Sequence, residues 1–237
     1  MLTEDIDYVC EGVFLRGYLA RTEGPKRPGV LVFHEGVGLE DFAFAKARQL
    51  AELGYVALAA DMFGERRQAR NLQEVATVVG GLRAEPERLR ARAHAALATL
   101  AGRPEVDAKR LAAIGFCFGG SVVLELARSG ADLKAAVSFH GVLGTKIPAT
   151  EGQMKASILV LTGAEDPLAP PDQVVAFENE MRAAKVADWQ VVNYGNVLHG
   201  FANPAADGSM MRTAMYDAQA DRRSWAAMKA LFDEVLA

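Results

Sequence analysis

Cysteine is scarce in this 237-residue sequence, occurring only at Cys10 and Cys117, which excludes a small scaffold held together by disulfides. In a reducing compartment the two are expected to stay free thiols. Positive charge is scarce too: 26 Lys and Arg stand against 30 Asp and Glu, for a formal charge of -4, and no Lys/Arg block occurs. Nucleic acid and anionic membrane surfaces are bound through clustered positive charge, so neither is an expected partner. Long apolar runs are missing. The stretch Leu111–Leu124 contains three glycines and a serine and ends at Glu125, short of the ~20 apolar residues a bilayer span needs. The first residues, Met1-Leu-Thr-Glu-Asp-Ile-Asp, lack the basic start and apolar run of a secretory signal, and a cytoplasmic location is the expectation. Four scattered histidines and two distant cysteines give no metal-ligand spacing. Glu35-Gly36-Val37-Gly38 lacks the third glycine of a dinucleotide fingerprint.

What is present is a globular composition, 51% apolar and 24% charged. Short runs rich in β-branched residues alternate with longer Ala-rich amphipathic runs, which predicts an α/β protein with a mostly parallel central sheet covered by helices on both faces. Ile6–Cys10 and Val13–Ala20, divided by Glu11-Gly12, predict an antiparallel edge hairpin. Further strands are expected at Val30–Phe33, Val56–Ala59, Leu111–Ile114, Ala135–Phe139, Ile158–Leu161 and Gln190–Asn193. Helices are expected at Phe42–Leu53, Glu85–Leu100, Ser121–Arg128, Asp172–Ala184 and Ala214–Leu236. No linker or repeat divides the chain, so residues 1–237 read as a single domain. The polar segment Gly64–Gly81, with Arg66, Arg67 and Arg70, reads as a flap over the carboxyl edge of the sheet.

The strongest local signal is Gly115-Phe-Cys117-Phe-Gly119-Gly120, in the form Gly-x-nucleophile-x-Gly between a buried strand and a helix. Such a turn holds one side chain clear of the backbone in a strained conformation, with glycines where a Cβ would collide. Here the held group is a thiol. The following helix points its amino terminus at Cys117, and the Phe118 amide is placed to receive an oxyanion. A nucleophile of this kind takes an acid and a histidine from later strand ends, in that chain order. Asp166, in Leu161-Thr-Gly-Ala-Glu-Asp-Pro, and His199, in Tyr194-Gly-Asn-Val-Leu-His-Gly-Phe, fill those places, with Glu165 as a rival to Asp166. His199 would move the thiol proton and Asp166 would fix its tautomer.

Cysteine in the elbow, together with His34-Glu35-Gly36-Val37-Gly38 after the strand at Val30, resembles the dienelactone hydrolase family of the α/β-hydrolase fold, over nearly the whole chain. The resemblance implies that Glu35 contacts Cys117 and controls its ionisation, and that the Gly36 amide completes an oxyanion hole with Phe118. It implies hydrolysis of a small ester or lactone through a thioester, with no cofactor. The founding pattern grips a substrate carboxylate with arginines, one of them four residues after the catalytic His. Asn203 stands there, so an acidic lactone would lose a charge-assisted pair. The second arginine cannot be assigned among Arg66, Arg67, Arg70 and Arg83.

Phe63, Phe118, Phe139, His140 and Phe201 flank these positions and suggest an aromatic pocket for uncharged or aryl esters. An oxyanion hole stabilises an anionic oxygen whatever atom bears it, which admits a phosphotriester as a side substrate. Two other uses of the same residues stay open: a non-hydrolytic thiol sensor or binding module, and acyl transfer to an acceptor other than water. A monomer or small homo-oligomer is expected.

Overall fold

A computed structural model describes residues 1–237 of the chain. Its strands are β1 (Leu2–Cys10), β2 (Val13–Arg21), β3 (Arg27–Phe33), β4 (Val56–Ala60), β5 (Val106–Phe116), β6 (Ala135–Phe139), β7 (Ser157–Gly163) and β8 (Trp189–Tyr194). Its helices are α1 (Asp41–Glu52), α2 (Leu72–Ala84), α3 (Pro86–Ala101), α4 (Phe118–Arg128), α5 (Pro171–Ala183) and α6 (Ala218–Val235).

The strands form one sheet in the order β1-β2-β4-β3-β5-β6-β7-β8. The β1–β2 and β2–β4 pairs are antiparallel and the other five are parallel. The edge hairpin turns at Glu11 (φ 49°) and Gly12 (φ 77°), the positive-φ pair that a two-residue turn requires. β4 and β6 are buried at every residue because helices cover both faces, which is why their sequences read as continuous apolar runs rather than alternating ones. Ala43, Ala47 and Leu50 of α1 pack with Met228, Leu231 and Phe232 of α6 against one face. Leu89 and Leu100 of α3, Val122 and Leu126 of α4 and Phe177 of α5 pack on the other.

β3 and β5 are neighbours, while β4 lies outside β3 and β6 outside β5. The chain therefore leaves these two strands in opposite directions, and a crevice opens between their carboxyl ends, the place where open α/β sheets bind ligands. Phe33 pairs with Gly115 across that junction, so the turn at His34–Gly36 and the elbow at Cys117 face each other. None of the helices is long and apolar enough to cross a membrane.

Two expectations are corrected here. Gly64–Gly81 is not a single flap, since its second half belongs to α2. Asn71 caps that helix by accepting the Glu74 amide, and the Glu74 carboxylate takes Asn71 Nδ2 and the Arg70 amide in return. Gly80-Gly81 and a polar surface hid the helix; Leu82 alone of its residues is fully buried. The last helix starts at Ala218 rather than Ala214, because Asp217 accepts the Gln219 and Ala220 amides as its cap.

Candidate active site

Cys117 lies between β5 and α4 with φ 53° and ψ −113°, a strained conformation for a residue with a side chain. The neighbouring chain leaves no room for alternatives around it. A Cβ on Gly115 would stand 2.0 Å from the Gly119 carbonyl oxygen, and one on Gly119 would stand 2.2 Å from that of Phe33. The Cys117 amide donates to the Phe139 carbonyl at 3.0 Å and to His140 Nδ1 at 3.1 Å. Cys117 is half-buried and carries no disulfide.

His199 and Asp166 sit in the loops after β8 and β7, both 2% exposed. The Asp166 carboxylate accepts the Leu168 amide on Oδ1 at 2.8 Å, and its Oδ2 stands 2.7 Å from His199 Nδ1. A carboxylate only accepts, so the Nδ1 proton points at Asp166. Nε2 is buried and makes no hydrogen bond. Glu165, the rival acid, is exposed. The histidine loop is clasped from outside: the His199 amide donates to Thr213 and its carbonyl accepts the Met215 amide, forming a bridge to Ala214. Burial pushes the imidazole down, but interaction with Cys117 and the bond to Asp166 outweigh it and carry His199 up to about 10.

Glu35 is partly buried, and its Oε2 accepts Asn203 Nδ2 at 2.5 Å. Asn203 is oriented for this by the Ala205 amide on its Oδ1 at 2.9 Å. Burial pushes Glu35 up to about 7, against the pull of Asn203, His199 and Lys46. The Gly36 amide donates to no backbone carbonyl, and the Phe118 amide, first in α4, has no acceptor within its own helix.

The expected aromatic pocket is only partly there. Phe139 and Phe201 are 0% exposed: one stacks on Phe116, and the other packs edge-on against His140 and Tyr194. Both support the site from beneath and present no surface to a substrate. Phe63 and Phe118 pack on each other with ring centroids 5.6 Å apart and keep 8% and 3% exposure. His140 is wholly buried and held neutral, its pKa driven well below the usual value by burial, with His199 and Lys46 adding to it. Among the four arginines, Arg66 is spent on Asp5 and the Arg16 and Gly17 carbonyls, and Arg67 and Arg70 are exposed. Arg83 on α2 is half-buried and forms no ion pair; burial lowers its pKa, while Cys117 and Glu125 act to keep it charged.

One charged group escaped the sequence reading. Lys46 of α1 is buried between the rings of Phe42, Phe116 and Trp225, 3.5 Å from Asp221. Its signal was a lysine on the Ala-rich inner face of a helix.

A model of the dienelactone hydrolase family matches residues 15–236. The chain belongs to that family. The solved structure m3DLH is 45% identical, with a TM-score of 0.94 over 100% of this chain and 99% of its own. A dienelactone hydrolase-like promiscuous phosphotriesterase from metagenomic libraries is 41% identical, with a TM-score of 0.93 over 100% of this chain and 99% of its own. A curated Escherichia coli (strain K12) relative, provisionally named a carboxymethylenebutenolidase, is 30% identical over 81% of this chain and 74% of that protein. The α/β-hydrolase fold and hydrolase character of this family member follow from these matches.

Proposed function

We propose that this dienelactone hydrolase-family member cleaves small esters or lactones with Cys117 as nucleophile, His199 as proton carrier and Asp166 as the group that orients it. The observation that carries this reading is the 2.7 Å pair of His199 Nδ1 with Asp166, on an imidazole whose Nε2 is buried and unspent. Sulfur adds to the carbonyl carbon, and the oxygen that gains charge accepts the Gly36 and Phe118 amides. His199 then protonates the departing alkoxide, leaving a thioester. Water, deprotonated by the same imidazole, cleaves that thioester and releases the acid. A thiol sensor would need no orienting acid, and the buried Asp166 therefore favours turnover.

Neutral and aryl esters are the preferred substrates, because Asn203 is uncharged and its amide is already committed to Glu35. Arg83, half-buried and without an ion pair, is the cation this reading offers to an acidic substrate. A phosphotriester is a side substrate, since the same two amides would stabilise the oxygen on phosphorus; the similarity to a promiscuous phosphotriesterase supports this. The test measures p-nitrophenol release from p-nitrophenyl acetate and from an aryl phosphotriester by wild type and Cys117→Ala. Wild-type turnover of both, lost in the variant, is expected. Cys117→Ala activity within tenfold of wild type on the ester overturns the mechanism, and no Cys117-dependent release from the phosphotriester removes the side activity.

A further inference from the structure

His34 is a buried group at this site for which the chemistry above has no use. It follows β3 directly and is 0% exposed. Both ring nitrogens are committed to backbone atoms: Nδ1 stands 2.7 Å from the Glu35 carbonyl oxygen, and Nε2 receives the Met62 amide at 3.2 Å. A carbonyl only accepts and an amide N–H only donates, so this pair of partners requires a neutral ring with its proton on Nδ1. Burial lowers the pKa of His34, in keeping with that state.

The far anchor is rigid. Arg92 Nη1 donates to the Met62 carbonyl. The wholly buried Asp61 carboxylate accepts the amides of Arg16, Phe63, Gly64 and Arg66. The Phe63 ring packs edge-on to the imidazole at 4.7 Å. At the near end, the Glu35 carbonyl also accepts the Gly38 amide at 3.2 Å. In a trans peptide the C=O and the following N–H lie in one plane and point in opposite directions. Clamping the Glu35 oxygen therefore fixes the direction of the Gly36 N–H, which is itself unspent.

We propose that His34 is a positioning residue: by holding the Glu35 carbonyl from a ring anchored on Met62, it keeps the Gly36 amide aimed at the oxygen that gains charge when Cys117 attacks. The proposal rests on the role given above to Gly36. Its signature is a loss in kcat without a matching loss in KM, since the amide binds most strongly in the transition state. Alkylation of Cys117 by iodoacetamide displaces iodide and creates no oxyanion, so it reports the thiol independently.

Two variants separate the ring's two bonds. His34→Asn keeps a donor near Nδ1, and His34→Gln keeps an acceptor for Met62 while leaving the Glu35 carbonyl without its ring donor. Deleting an oxyanion donor outright costs about 10²–10³ in kcat, so misaiming one in His34→Gln is expected to cost about 10–100-fold on p-nitrophenyl acetate. KM and the alkylation rate should stay near wild type, and His34→Asn should keep most of the turnover. His34→Gln with wild-type kcat overturns the proposal, as does turnover falling only in step with alkylation, or His34→Asn losing as much as His34→Gln. Circular dichroism checks that each variant folds, and if His34→Gln does not, a large kcat loss in folded His34→Asn overturns the proposal by itself. The Cys117→Ala control isolates the premise: activity persisting there refutes the nucleophile, whereas Cys117-dependent activity indifferent to His34 refutes the positioning role alone.

Discussion

Replacing Glu35 by Gln is expected to stabilise the folded protein at pH 8 and to do so far less at pH 5. Burial raises the Glu35 carboxyl from its ordinary 4.5 to about 7. An acid with a raised pKa holds its proton more tightly in the folded chain than in the unfolded one. Below pH 4.5 both forms are protonated and nothing is lost. Between 4.5 and about 7 the unfolded chain ionises while the folded chain does not, so stability falls as pH rises. Above that window the full cost applies, about 3 kcal/mol at most. Glutamine keeps an oxygen for Asn203 Nδ2 and has nothing to ionise. For a chain of this length each kcal/mol moves the melting point by about 2–4 °C, which puts the gain at pH 8 near 6–12 °C. Thermal melts of both proteins at the two pH values measure it. Any effect of the amide that does not depend on pH cancels in the comparison. Equal gains at pH 5 and pH 8, or a loss at pH 8, would refute the reasoning.

Asp166→Asn should fold normally yet lower kcat by about 10³–10⁴, because an amide can present its NH₂ to Nδ1 and turn the ring to the tautomer whose Nε2 cannot accept the thiol proton; a steady-state assay with a melt as control checks both halves. Gly119→Ala should be severely destabilised, since its Cβ would meet the carbonyl oxygens of Phe33 at 2.2 Å and His34 at 2.8 Å; denaturant titration should show a loss of at least about 3 kcal/mol. Arg83→Met should raise KM for carboxylated esters and leave that for neutral ones near wild type; a uniform change across both classes would mean that Arg83 serves packing alone.

The elbow was legible because it is local: a run of glycines around one cysteine, between a β-branched run and an Ala-rich one, fixes backbone and side chain together. Asp166 and His199 were legible through order along the chain, since each closely follows a strand that the apolar pattern reveals. What stayed hidden depends on distant partners. Nothing near Asn203 in sequence says that its amide meets Glu35, and nothing near Phe139 or Phe201 says that other rings seal them from the crevice. α2 was hidden for a different reason: a helix that buries little carries little apolar periodicity, and its capping pattern at Asn71 and Glu74 lay inside a stretch rich in turn residues.

The clasp that holds His199 comes from the segment leading into the last helix, where the Asp217 amide also returns to the Phe201 carbonyl. The reactive imidazole is thus tethered at both margins of a short detour whose outer tip, around Ser209 and Met210, is open to solvent. Peptide tags or recognition sequences grafted at that tip would leave the tether intact, whereas trimming the detour would slacken the imidazole long before it unravelled the sheet.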